Sequence, residues 1–206
     1  MGKHFAEETE KARFETFIDA ILAIIITILV LEFRVPENAY SSDDEIKSFI
    51  WHMVPAVFSY VISFTTIVSL WLSHHDLCRL VKTVDIRFVI LNFVFILFVS
   101  SLPFTTALAG RNHESSYAVA VVATNYFLMN ISFALIWRYV VTKKIIPEET
   151  TGSKGFKRNV TIAIIGGVLL LISIPFAYVS TYISFTLFIV VLFLHISKEF
   201  FYYTDK

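Results

Sequence analysis

Residues 17–33 read FIDAILAIIITILVLEF, and the reading of that stretch decides the fold. Apart from Asp19, Thr27 and Glu32, every side chain in it is apolar. Following the charged start MGKHFAEETEKAR, it predicts a membrane-spanning helix. The run is slightly shorter than the ~20 residues a bilayer requires, and an amphipathic lead-in from Glu7 extends it. At about 100° per residue, Ile24, Thr27, Ile28 and Leu31 fall on one stripe. Asp19 faces roughly 140° from Ile24 on the same wheel. A carboxylate in a greasy helix is costly unless it meets protein or water, so the helix offers an apolar stripe and a separate polar face.

Composition extends that reading to the whole chain. Hydrophobic residues make up 56% and charged residues 17%, against about 45–50% and about 25% in soluble domains. With a mean hydropathy of +0.71, the chain reads as an all-α integral membrane protein. The 21 phenylalanines suit lipid-facing and interhelical surfaces. A formal net charge of zero gives no basis for nucleic-acid binding. The single Cys78 excludes an intrachain disulfide. No cleavable leader is expected, because the charged start is followed by an apolar run without an A-x-A-like exit.

The remaining apolar runs place six spans in one domain, residues 1–206: about 17–33, 49–72, 88–109, 117–141, 160–177 and 183–201. Arg34, Pro36 and the acidic stretch through Asp43, Asp44 and Glu45 close the first span. A polar turn is expected over 73–87 and a polar loop over 142–159. Pro175 and the patch Tyr178, Ser180, Thr181 and Tyr182 split the last apolar run into a hairpin. With the amino terminus inside, the outer loops hold only Arg34, Lys47 and Arg111, and the other basic residues fall on the cytosolic side. The positive-inside bias therefore predicts a multi-pass protein of the cell (inner) membrane with both termini cytoplasmic.

Asp19 needs partners, and Trp71, His74 or His75, and Asn92 all lie near the same membrane face. One histidine is expected to bond Asp19 while the other meets water. Arg13 is a less direct candidate, because a continuous helix sets it about 120° from Asp19. Adjacent histidines point about 100° apart and no Glu-x-x-His partner appears, so no metal site is expected. No hydrolase, zincin or phosphate-loop motif is present, and no enzyme is expected. Gly166-Gly167 reads as a close helix contact, and Pro103 and Pro175 as helix kinks or ends. Periodicity leaves the Ile24, Thr27, Ile28, Leu31 stripe open between packing surface and pore lining, with the Thr27 hydroxyl either free or bonded back to the Ala23 carbonyl.

Four segments carry a resemblance. R-x-x-x-F-I-D-A (Arg13 to Ala20) with AIIITILVLE (Ala23 to Glu32), W-L-S-H-H (Trp71 to His75), V-D-I-R followed by Asn92, and L-P-F-T-T-A-L-A-G (Leu102 to Gly110) resemble, in order, segments of bacterial transmembrane-protein-175 potassium channels. Ile18 departs from the family, which usually has Ser there, so a polar network must run through Asp19 without that hydroxyl. The resemblance implies a homotetramer of six-helix subunits in a lipid bilayer, with the first helix of each lining a central pore. It implies potassium ions as the permeant species, no cofactor, and no T-V-G-Y-G filter. It casts Ile24, Ile28 and Leu31 as a hydrophobic constriction and Thr27 as a selectivity layer. Arg13, Asp19, Trp71, His74, Asn92 and, as an alternative histidine, His75 become a cytosolic-side network. The alternatives are a proton-coupled secondary transporter, which repeats and broken mid-membrane helices would mark, and a non-conducting membrane scaffold.

Overall fold

In the computed structural model, residues 2–33 and 42–204 are described, with side chains for 9–33 and 42–197. The described structure is entirely helical. Helix α1 spans Gly2–Ile28 and tightens into a 3₁₀ turn over Leu29–Glu32. Then come α2 (Asp43–Leu80), α3 (Ile86–Ser100), α4 (Leu102–Arg111), α5 (Ser116–Thr142), a short α6 (Glu148–Gly152), α7 (Lys154–Phe176) and α8 (Thr181–Thr204). Five stretches are long and apolar enough to cross a membrane: Thr9–Glu32, Asp43–Leu80, Ile86–Arg111, Ser116–Thr142 and Lys154–Phe176. Thr181–Ser197 is a shorter apolar helix. Arg34 and Pro36, assigned above to the first interhelical turn, lie outside the described residues.

Three boundaries differ from the sequence reading, each for a local reason. Helix α2 starts at Asp43 rather than near Phe49. The Ser42 hydroxyl accepts from the Glu45 N–H at 3.4 Å, and Asp43, Asp44 and Glu45 fill the first turn, where negative charge offsets the helix dipole. Its 38 residues measure about 57 Å, well beyond the ~30 Å hydrocarbon core. At its far end α2 continues through Leu80, so the expected polar turn is helical as far as that residue. Ser73, His74, Leu77 and Cys78 are all buried there, which makes one face of a polar-looking stretch part of the core. Finally, the loop expected over 142–159 contains α6 and the first turns of α7, begun by Ser153, whose hydroxyl accepts from the Phe156 N–H at 3.1 Å.

The third span is broken at Ser101 into α3 and α4. Pro103 sits in the first turn of α4, where its missing N–H costs nothing. The Asn125 amide of α5 bridges the break, 3.0 Å from the Ser101 hydroxyl and 3.1 Å from that of Thr105. Beside it, the Ser63 hydroxyl lies 2.6 Å from Thr106 and 2.9 Å from the Tyr126 hydroxyl. These bonds tie α2, α4 and α5 together by polar groups that would otherwise be stranded in a dry core.

α1 packs on α2 and α3, α4 on α2 and α5, and α7 on α5 and α8. Small residues permit the closest approaches. Gly166 and Gly167 seat α7 against His195 of α8 and Asn130 of α5, bearing out the packing role read for them. A methyl group on Gly110 would come within 2.9 Å of the Ala56 backbone Cα, an atom that cannot swing aside. Gly110→Ala is expected to destabilise the protein by about 1–3 kcal/mol. Gly155→Ala, with open space around it, serves as the neutral control. Thermal unfolding of the two variants in one detergent measures the difference.

Candidate functional site

Helix α1 presents two opposite faces. Ile18, Leu22, Ile25 and Leu29 are at most 5% exposed and seat α1 in the core. Their four-three-four spacing keeps them on one side of the helix. Ile24, Ile28 and Leu31 fall on the other side and are 56, 39 and 68% exposed. Thr27 is exposed with them. Its hydroxyl donates to the Ile24 carbonyl at 2.8 Å, rather than to that of Ala23. The hydroxyl proton is thereby occupied, while the oxygen keeps lone pairs for another partner.

Contacts at both ends hold α1 in this orientation. Towards its amino terminus, Phe14 packs on Phe88 and Phe17 on Phe93, with ring centroids 5.6 and 5.9 Å apart. The Trp71 indole N–H donates to Asp19 Oδ1 at 3.0 Å. At the other end, the Arg111 guanidinium donates to the Glu32 carbonyl at 2.7 Å and lies 3.7 Å from the Glu32 carboxylate. Phe33 meets Tyr60 edge-on at 5.1 Å. Arg111 read only as a loop cation in the sequence. Pairing across 79 residues of chain leaves no local signal.

The residues expected to form one network fall into two clusters. Asp19 bonds Trp71, and neither histidine donates to it. His75 is exposed and stacks on the Trp71 ring at 5.7 Å. His74 is the buried histidine, 1% exposed, stacked on Phe95 at 6.0 Å. Its Nε2 lies 2.7 Å from Asn92 Oδ1. Because Asn92 spends its NH₂ group on the Phe88 carbonyl at 2.8 Å, Oδ1 must accept and His74 Nε2 must donate. His74 Nδ1 is then an acceptor, 3.6 Å from the Cys78 sulfur, whose thiol can donate to it. Arg13 is exposed, and no ion pair joins it to Asp19 among the described residues. A single residue step along α2 decides which histidine is buried: His74 shares a face with Leu70 and Cys78, and its neighbour is rotated about 100° away.

A third contact closes this end. Asp85 caps α3 by accepting from the Phe88 N–H at 2.8 Å and accepts from the Tyr139 hydroxyl of α5. The tyrosine's hydrogen bond, with the backbone N–H adding to it, holds the Asp85 carboxyl below the usual carboxylate range. Asp85 entered the sequence reading only as a letter of V-D-I-R. The capping pattern, a carboxylate three residues before Phe88 at a helix start, is the signal that points to it.

The sequence model of the family described as "Endosomal/lysosomal potassium channel TMEM175" matches residues 13–103, the part that holds α1, both clusters and the α3–α4 break. A potassium channel of Chamaesiphon minutus is 30% identical over 139 residues, covering 66% of this chain and 68% of that protein. A potassium channel of Streptomyces collinus is 30% identical over 133 residues, 63% of this chain and 62% of that protein. The human endosomal/lysosomal proton channel TMEM175 is 30% identical over 142 residues, 64% of this chain but only 28% of that longer protein. The crystal structure of a lysosomal potassium-selective channel TMEM175 homolog from Chamaesiphon minutus superposes with a TM-score of 0.76 at 23% identity. It covers 92% of this chain and 98% of that one, so the two share a fold. Sequence match and shared fold agree: this chain is a membrane protein, and it belongs to the TMEM175 family.

Proposed function

We propose that four copies of this chain assemble around a central pore lined by α1 and conduct potassium in preference to sodium. One observation carries this reading. α1 buries its Ile18, Leu22, Ile25, Leu29 face in its own subunit and leaves the Ile24, Thr27, Ile28, Leu31 face outside it. One chain supplies one such helix, too few to enclose a channel, and closed rotational symmetry multiplies it. Family membership and the bacterial relatives' names, potassium channels, support the class of activity. In this arrangement each subunit crosses the inner membrane six times, Thr181–Ser197 serving as part of the last crossing, with both termini in the cytosol.

Rings of Ile24, Ile28 and Leu31 then form a constriction that stops ions by dewetting. Beside them a ring of Thr27 oxygens offers ligands to a cation shedding water. Potassium surrenders hydration more readily than sodium, so a weak oxygen ring favours it without a rigid filter. Asp19 with Trp71, and His74 with Asn92 and Cys78, hold the cytosolic half of α1 in place. Arg13, outside both clusters in the single subunit, and His75, stacked on the Trp71 ring, face the neighbouring subunit or the cytosolic entrance. The animal relatives' name, proton channel, makes proton flux a second reading to be measured alongside.

Three outcomes are expected from purified protein in liposomes or planar bilayers. Ile24→Asn raises basal potassium flux, because a polar ring wets more readily. No increase in a correctly assembled variant would move the gate to another helix. Thr27→Val keeps side-chain shape and removes the oxygen. It should cost about 1 kcal/mol of discrimination, a roughly fivefold fall in the potassium-to-sodium permeability ratio, with assembly intact. An unchanged reversal potential ends the selectivity assignment. Asp19→Ala strands the Trp71 N–H, at about 1–3 kcal/mol, and is expected to lower the melting temperature more than it changes ion preference. Lost selectivity at unchanged melting would instead put Asp19 in the ion path.

A further inference from the structure

A cleft of about 500 Å³ opens between α5 and α7, with no residue of α1 in its walls. Its walls are mostly apolar, and Ile131, Ile164, Val168 and Leu171 at its lip are 43–61% exposed. Along α5 it runs from Phe127 to Val141, about 20 Å at 1.5 Å per residue. One leaflet contributes about 15 Å of hydrocarbon, half of the ~30 Å core. The cleft is therefore about as long as a single acyl chain with part of its headgroup. Packing of Trp137 edge-on to Phe156 at 5.6 Å marks the end nearest the α5–α6 loop, where an indole suits the interface.

Polar groups sit at that same end. Arg138 and Asn159 line the cleft, and among the described residues no carboxylate pairs with Arg138. A guanidinium without a carboxylate partner at the mouth of an apolar cleft matches the phosphate of an anionic lipid whose chain lies along the cleft. The floor is kept open by Gly167, whose place a larger residue could take only by colliding with Asn130 Oδ1, 2.8 Å from a Cβ built there.

We propose that this cleft holds one anionic phospholipid per subunit from the cytosolic leaflet. An acyl chain lies between α5 and α7, and the phosphate sits on Arg138. The leaflet and the lipid-facing position rest on the topology and the α1-lined pore proposed above. Phosphatidylglycerol carries this chemistry, and phosphatidylcholine of the same chains lacks the net charge.

Native mass spectrometry of the detergent-purified protein titrated with each lipid tests the assignment. The parent is expected to bind phosphatidylglycerol at least tenfold more tightly than phosphatidylcholine, one per subunit. Arg138→Gln should erase that preference. Ala163→Phe, which fills the cleft from α7, should abolish the site for both lipids at unchanged melting temperature. If Ala163→Phe fails to fold, Arg138→Gln, expected to weaken phosphatidylglycerol alone, decides in its place. Equal binding of the two lipids by the parent, or a preference that survives Arg138→Gln, overturns the proposal. Potassium flux in phosphatidylcholine vesicles is measured separately. Flux without a lipid preference sinks only the cleft assignment, and a lipid preference without flux sinks only the pore.

Discussion

The rest of this structure depends on how α1 is held. Inside a bilayer, lipid tails are as apolar as leucine, so burying a greasy face brings no hydrophobic gain. Close packing and a few polar contacts must do the orienting. Ile18, Leu22, Ile25 and Leu29 provide the packing, and Asp19–Trp71 at one end and Glu32–Arg111 at the other pin the rotation about the helix axis. Once that rotation is set, the side chains 24, 27, 28 and 31 have only one direction left to point, out of the subunit.

The same economy recurs through the subunit. Polar side chains are drawn together wherever helices cross. Asn92 takes His74, Asn125 spans the Ser101 break, and Ser63 joins Thr106 to Tyr126. Each asparagine here satisfies a neighbour across a helix boundary while the backbone keeps its own bonds, as a low-dielectric interior demands. Glycines do complementary work, with Gly110 bringing α4 onto α2 and Gly166-Gly167 letting α7 close on α5 and α8. Ile18, where the resemblance leads one to expect Ser, is a fully buried apolar side chain on the face that packs α1 into the core.

The segments that carry the family likeness are also the segments that orient α1. R-x-x-x-F-I-D supplies Phe17 and Asp19, W-L-S-H-H supplies Trp71 and His74, and V-D-I-R supplies the Asp85 cap that starts α3 beside Asn92. Membership in the TMEM175 family thus rests on the parts that hold one helix in one rotation. The α5–α7 side beyond residue 103, outside the family match, builds a separate apolar cleft.

By itself the sequence determined that this is a helical membrane protein, that five of its apolar runs are long enough to span, and which side of α1 carries the Ile24, Thr27, Ile28, Leu31 stripe. Those properties follow from hydropathy and from a 100° step per residue, both local. It also marked Asp19, Trp71 and Asn92 as polar groups in need of partners. Tertiary structure alone decided who partners whom. It chose His74 over His75, joined Asp19 to Trp71 rather than to a histidine, brought in Cys78 and Tyr139, and carried α2 as helix through a stretch that reads as a turn. Those outcomes depend on which faces of α1, α2, α3 and α5 meet, and on residues up to 54 positions apart. No periodicity within one helix encodes such a meeting, because a polar side chain in lipid takes the partner that packing brings within reach.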